Sequence, residues 1–270
     1  METLGLTPLS RGRLETFRAC QRRFQLRYLE KLPWPTPPLA DPLSKAAERG
    51  KAFHQLLAQH FQGFEPASGD DEQLGEWWRT FQRLGPRLPE GDRLAELTLT
   101  VPIGELQLTG RFDLVIRTPD HLYLYDWKTE RQPRSTHLLK EDWQTKLYLL
   151  LAVIGSPALG GKSYRPEQVS LTYWFVQAPE QPITFRYSQN EYLDHYKELG
   201  QLVGQLETLH NEQLDIWPLT ENLNYCQQCA YHIYCGRTNL PDPGNVAESP
   251  DWWLEPIDAD GSTAIEPEWD

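Results

Sequence analysis

The sequence predicts an α/β protein, a mixed central sheet flanked by helices. Two observations lead there. Apolar and polar residues alternate along three successive segments, 94–103, 106–116 and 122–128, which is the period of half-buried strands. Apolar residues at three- and four-residue steps precede these segments, follow them and return near residue 200, so helices and strands interleave along the chain. At 270 residues the chain can bury a substantial core. Its 39% apolar and 11% aromatic content is too high for a disordered chain.

Ser10 is placed to cap a first helix running to about residue 32, with Leu14, Phe17, Cys20, Phe24 and Tyr28 near one face and Arg11, Arg18 and Arg22 on another. Pro33, Pro35, Pro37 and Pro38 stop it. Helices are expected over 43–61, where Ala47, Gly50, His54, Leu57 and Phe61 share a stripe, and over 72–84. After the three strands come a helix over 135–154, strands near 168–176 and 182–187, and a helix over 189–210. One folded body, residues 1–236, is expected to precede a tail, 237–270, that is rich in Pro, Asp and Glu and carries Trp252, Trp253 and Trp269.

The formal charge of −12 argues at face value against a nucleic-acid partner. Its distribution weakens that argument. Residues 237–270 hold nine acids and one base, whereas the first 60 residues hold ten bases and five acids. Arg11, Arg18, Arg22, Arg23 and Arg27 can contact phosphates or simply solvate the first helix. No apolar run approaches the roughly 20 residues of a membrane helix, and the first residues lack a signal-peptide core. A cytoplasmic protein with no membrane partner is expected. GGKS at 160–163 is no phosphate loop, because position 156 is Ser and the segment follows a helix.

The hairpin arithmetic points to a site. Gly104-Glu105 suits a two-residue turn, which sets Glu96 opposite Asp113. A turn centred on Pro119-Asp120 sets Asp113 opposite Asp126. Three carboxylates would then lie side by side on adjacent strands, a repulsive arrangement unless they are solvated or a cation neutralises them. Oxygen ligands suit Mg²⁺ or Mn²⁺. Lys128 shares the Asp126 face and can stabilise charge developing on a phosphate. A D-x-K beside a second carboxylate is a design for metal-dependent phosphodiester hydrolysis.

GRFDLVI (110–116) followed by YDWKT (125–129) resembles the RecB-like branch of the PD-(D/E)XK nucleases. RGKAFHQLL (49–57) resembles that branch's helical His motif, and QTKLY (144–148) its Q-x-x-x-Y motif. CQQCAYHIYC (226–235), with Cys20 far upstream, resembles the iron–sulfur members, which include the AddB nuclease domain and the CRISPR-associated adaptation exonucleases. Phe112 stands where the nominal signature has Pro, and Asp126 supplies the acid before x-Lys.

The resemblance implies a restriction-endonuclease-like core and a metal-dependent DNA nuclease, an exonuclease on single-stranded or end-containing DNA, in repair, recombination or CRISPR-type DNA processing. It implies Asp113, Asp126, Lys128, Gln144 and Tyr148 as catalytic residues. His54, Asp113 and Asp126 would hold Mg²⁺ or Mn²⁺, with Glu96 as an outer ligand. Cys20, Cys226, Cys229 and Cys235 would hold a [4Fe–4S] cluster as a structural clasp. Four thiolates are what such a cluster needs, though a Zn²⁺ ion also accepts four cysteines. A non-cleaving DNA-binding or scaffold protein on the same fold stays open. The acidic tail either docks a protein partner, folds over the DNA path, or only aids solubility.

Overall fold

Short turns join the first three strands of the sheet. In the computed structural model, which describes residues 8–33, 41–130, 133–227, 229–238 and 240, Gly104 and Glu105 join β1 (Asp92–Ile103) to β2 (Leu106–Arg117). Gly104 takes the positive φ of 56° that such a turn demands. β2 pairs antiparallel with β3 (Leu122–Lys128), in the register Leu114↔Tyr125 to Arg117↔Leu122. That is the register expected from a turn centred on Pro119-Asp120. The Thr118 hydroxyl closes this turn, donating to the His121 carbonyl and accepting from the His121 N–H, each at 2.9 Å. β4 (Val169–Phe175) runs parallel to β3, and β5 (Ile183–Arg186) antiparallel to β4. The result is a mixed five-stranded sheet in the order β1-β2-β3-β4-β5.

The helices are α1 (Arg11–Ala19), α2 (Gln21–Phe24), α3 (Asp41–Phe61), α4 (Glu72–Leu84), α5 (Thr136–Glu141), α6 (Trp143–Gly155), α7 (Gln189–Asn211) and the short α8 (Asn224–Gln227). Asp71 caps α4 by accepting from Leu74 N at 2.9 Å. A strand parallel to its predecessor needs a long crossover, and α5 and α6 supply it between β3 and β4. No helix of the described residues is long and apolar enough to cross a membrane. Trp252, Trp253, Trp269 and the rest of 241–270 lie outside the described residues.

The chain divides into two compact units. One contains Pro38–Val101 and Gly110–Glu198. Its core joins Phe53 and Leu57 of α3 and Trp77 and Phe81 of α4 to Leu114, Ile116, Trp127 and Trp174 of the sheet. Phe61 stacks on Trp127 at 5.9 Å, and Phe81 meets Trp127 and Trp174 edge-on at 5.7 and 5.6 Å. Each such ring removes roughly 150–250 Å² from water, so α3 and α4 are held to the sheet mainly by aromatic burial. α6 is buried on nearly every side, from Trp143 to Ala152, as a core helix should be.

The other unit contains the described residues of Met1–Pro37, Pro102–Thr109 and Leu199–Asp270. Leu9 bridges the hairpin tip, donating from its N–H to Gln107 O at 2.7 Å. Phe24 stacks on Trp217 at 6.1 Å and meets Phe17 edge-on at 5.4 Å. The Gln25 side chain accepts from Trp217 N at 2.7 Å and donates to Asp215 O at 3.1 Å. Tyr231 OH donates to Leu32 O at 2.7 Å. Contacts between residues some 190 positions apart thus bind the N-terminal helices to the C-terminal loop.

Two helices expected as continuous are broken. The first stops at Cys20, whose backbone is extended (φ −163°, ψ 113°), then resumes as α2 and a π-helical turn, Gln25–Leu29. The second is divided at Asp142, also extended, whose side chain caps α6 by accepting from Gln144 N at 2.8 Å. Apolar spacing does not register a one-residue break, because the residues on either side keep their faces. Arg22 and Arg23 also differ from a phosphate-facing surface, being only 7% and 2% exposed. Arg22 donates to Gln25 Oε1 at 2.6 Å and to Glu30 at 2.9 Å, which holds it inside. Arg18 remains exposed.

Candidate active site

Every residue of the expected nuclease site falls in the unit formed by Pro38–Val101 and Gly110–Glu198, which holds most of the sheet. Asp113 sits on β2 and is anchored by a backbone donor, the Trp127 N–H, at 2.7 Å from its Oδ2. Its Oδ1 lies 3.1 Å from Nδ1 of His54. His54 arrives on α3 one turn after Gly50. A Cβ at Gly50 would stand 3.3 Å from Thr129 Oγ1, so the absent side chain lets α3 approach the end of β3. Glu96 completes this group. Ligand atoms of His54, Glu96 and Asp113 all lie within 4.8 Å of one another, the one such group of three among the described residues. Glu96 takes a φ of 52° within β1, a left-handed backbone that a non-glycine residue adopts only where its surroundings enforce it.

Asp126 and Lys128 alternate along β3 and so share a face. Lys128 Nζ lies 2.7 Å from Asp126 Oδ1. Gln144, in the first turn of α6, closes a triangle: it donates through Nε2 to Asp126 Oδ2 at 2.6 Å and accepts from Lys128 Nζ at 2.9 Å. The Lys128 ammonium also stands over the Tyr173 ring, 5.1 Å from its centre. One turn further along α6, Tyr148 OH donates to the Arg111 carbonyl at 2.6 Å, and its ring lies 4.7 Å from that of Phe112. The expected Gln144 therefore reaches β3 and Tyr148 reaches β2. The expected pairing of Asp113 with Asp126 as principal ligands corresponds here to two neighbouring groups. Asp113 sits with His54 and Glu96, and Asp126 with Lys128 and Gln144.

The electrostatics follow from burial and these partners. Burial works against a charge on His54, but the Asp113 carboxylate outweighs it and lifts the imidazole to about 8. Burial also pushes Asp113 up, yet His54 and the Trp127 N–H hold it below the ordinary carboxylate value. Burial raises Asp126 to about 6 against the pull of Lys128, with Asp113 adding repulsion. Glu96 is raised as well, by burial and then by Asp113. Such groups favour a cation, and one imidazole with two carboxylates is a donor set that suits Mn²⁺ or Mg²⁺. His54, Glu96 and Asp113 would hold it. Such an ion, when bound, polarises a phosphoryl oxygen and makes a bound water more acidic.

Sequence reasoning missed Arg111, Asp142 and Tyr173 at this site. Arg111 could have been found from its place two residues before Asp113, on the same strand face. Asp142 carries the residue type of a helix cap. Nothing in the sequence singles out Tyr173.

The four cysteines lie in the other unit. Cys20, Cys226, Cys229 and Cys235 line a single pocket with Arg23, Tyr231 and His232. The extended backbone at Cys20 takes that residue out of the helical run. Burial raises the thiols of Cys226 and Cys235, and lifts Cys229 to about 11. Arg23 is pulled down to about 10 by burial, with Cys229 acting in the opposite direction. Four thiols beside a buried guanidinium fit an anionic metal–thiolate group, because the cation offsets its charge.

The PD-(D/E)XK nuclease superfamily matches the chain over residues 8–100 and 83–236. The protein belongs to that superfamily, and its fold of helices around a mixed five-stranded sheet is the superfamily's α/β fold. Among solved structures it is similar to a provisionally named exonuclease from Eubacterium rectale, at a TM-score of 0.52 and 9% identity over 90% of each chain. That likeness concerns the fold. The structure of SSO0001 is more distant, with a TM-score of 0.37 and 15% identity over 86% of this chain and 87% of that one. No curated protein matches the sequence.

Proposed function

We propose that this protein is a Mn²⁺- or Mg²⁺-dependent deoxyribonuclease, acting as an exonuclease on single-stranded DNA or duplex ends. One observation carries the reading: the Asp126–Lys128–Gln144 triangle stands beside the compact His54–Glu96–Asp113 donor group. In it, His54, Glu96 and Asp113 hold the ion, with Asp126 joining once it is ionised. Lys128 steadies the attacking water and the charge that develops on the phosphate. Gln144 holds Lys128 and Asp126 in register, and Tyr148 fixes the backbone at Arg111 through its hydroxyl. The superfamily membership supports a nuclease, and the exonuclease name of the Eubacterium rectale protein agrees with action at ends. Oligonucleotides labelled separately at the 5′ and 3′ ends, single-stranded and duplex, test it. Mn²⁺-dependent stepwise shortening is expected, and internal cuts at the earliest times would replace the exonuclease reading with an endonuclease one.

The same proposal assigns Cys20, Cys226, Cys229 and Cys235 to a [4Fe–4S] cluster in the RecB-like manner. It rests on the four thiols in one pocket and on the buried Arg23 cation beside them. The role is structural, since hydrolysis transfers no electrons. Anaerobic purification with iron, sulfide and zinc analysis decides between cluster and zinc: about four irons per chain are expected, and one zinc per chain would overturn the assignment. The wider proposal places the protein in the cytoplasm, in DNA repair, recombination or CRISPR-type DNA processing. Residues 237–270 are proposed as an acidic tail available to a protein partner.

A further inference from the structure

Arg111 stands beside Glu96 at the edge of the site, and the proposed reaction assigns nothing to its side chain. It lies two residues before Asp113 on β2, so both side chains leave the strand on the same face. Its Nε is 3.1 Å from Glu96 Oε2, and its side chain is 52% exposed, against 27% for Glu96. Glu96 itself belongs to the donor group with His54 and Asp113, and its left-handed backbone fixes where its carboxylate is presented. The base of Arg111 is fixed too, because its carbonyl accepts from Tyr148 OH at 2.6 Å. A short carboxylate is therefore shared between a cation site and a long, half-exposed guanidinium whose root is anchored and whose head can swing.

We propose that Arg111 is a DNA phosphate-binding residue that Glu96 holds in reserve, so that binding of the divalent ion and binding of a phosphodiester reinforce each other. This rests on the nuclease reading of the same site. An ion that takes the Glu96 carboxylate weakens its hold on Arg111. The freed guanidinium offers paired N–H donors that match a phosphodiester's two anionic oxygens. In reverse, a phosphate that engages Arg111 leaves Glu96 to the ion. By linkage the two effects have the same size. The exposed side of Arg111 faces solvent, from which a DNA backbone can approach.

The test measures Mn²⁺ binding, not turnover. In a Lys128→Ala background, which spares the DNA, Mn²⁺ is titrated by calorimetry with and without a single-stranded oligonucleotide. The parent should bind Mn²⁺ about five-fold more tightly, or better, when DNA is present, the lower end of ordinary coupling between sites. Arg111→Gln should bind Mn²⁺ about five-fold more tightly than the parent without DNA, and should gain little more when DNA is added. Arg111→Lys keeps the competing charge and should resemble the parent without DNA, while losing part of the DNA-linked gain. Unchanged or weaker Mn²⁺ binding in Arg111→Gln, or a fully retained DNA-linked gain, would overturn the inference and leave the nuclease reading standing. A parent that binds no Mn²⁺ under any condition would overturn both.

Discussion

Gln144 donates to the Asp126 carboxylate at 2.6 Å from a side chain that is only 6% exposed. The same amide accepts from Lys128, so one residue of α6 sets the spacing of two groups on β3. Gln144→Leu keeps the volume and removes both bonds. It should lower the cleavage rate about 10- to 100-fold, the usual cost of losing a residue that orients a metal site. Steady-state rates with end-labelled DNA check this, and an unchanged rate would remove Gln144 from the machinery.

The pH dependence has a definite sign. His54 stays protonated up to about 8 beside Asp113, above its ordinary value of about 6.5. The pair therefore stabilises the metal-free fold fully below pH ~6.5, and that contribution is lost as the pH rises through about 8. Asp126 is raised from 3.8 to about 6, so its penalty begins near its ordinary value and is complete once the pH exceeds its raised one. Both effects lower metal-free stability as pH rises. A bound ion replaces the His54 proton, so the Mn²⁺-induced rise in Tm should be larger at pH ~8.5 than at pH ~6. Thermal melts with and without Mn²⁺ measure it. His54→Gln should flatten the metal-free curve between pH ~6.5 and ~8, and an unaltered slope there would rule out His54 as the titrating group.

Gly110 lets α6 pack closely on β2. A Cβ there would meet Leu151 Cδ1 at 2.7 Å, and Leu151 is fully buried. Gly110→Ala should destabilise the fold by about 1–3 kcal/mol, as overpacking commonly does, and should also slow cleavage, because α6 carries Gln144 and Tyr148. Urea unfolding and rate measurements on the same sample test the link. Full activity at reduced stability would show that the site does not depend on this contact.

Cys20→Ser tests the cysteine pocket from its most distant member in sequence. Iron content should fall sharply and thermal stability with it, since Cys20 would tie the first helices to the 226–235 loop. Arg23→Met should lower iron retention less severely, by removing the buried positive charge beside the thiols. Wild-type iron content in Cys20→Ser would exclude that residue as a ligand.

Much of this fold was legible because its decisive connections are local. Pro119-Asp120 is a two-residue turn, so the register of β2 and β3 follows from residue numbers alone. His54, Gln144 and Tyr148 were legible as motif residues, and their positions on α3 and α6 followed from apolar spacing. The breaks at Cys20 and Asp142 were not. Each is a change at one residue, in a helix whose two halves keep the same apolar spacing, and the Asp142 break is marked only by a side-chain cap. The burial of Arg22 and Arg23 was hidden for a similar reason: arginine predicts surface until Gln25, Glu30 and the 215–235 region come to meet it. The place of Arg111 on the Asp113 face was legible, but its contact with Glu96 was not, because the left-handed backbone of Glu96 departs from the regular strand that alternation predicts.

In the proposed function the Asp113–Asp126–Lys128 constellation hydrolyses DNA with a divalent ion. The most direct measurement compares the wild type with Lys128→Ala on end-labelled DNA, with Mn²⁺ and with a chelator. Mn²⁺-dependent cleavage by the wild type and a loss of at least about 100-fold in Lys128→Ala are expected. Equal cleavage by both proteins, or no cleavage by an iron-replete wild type, would contradict it.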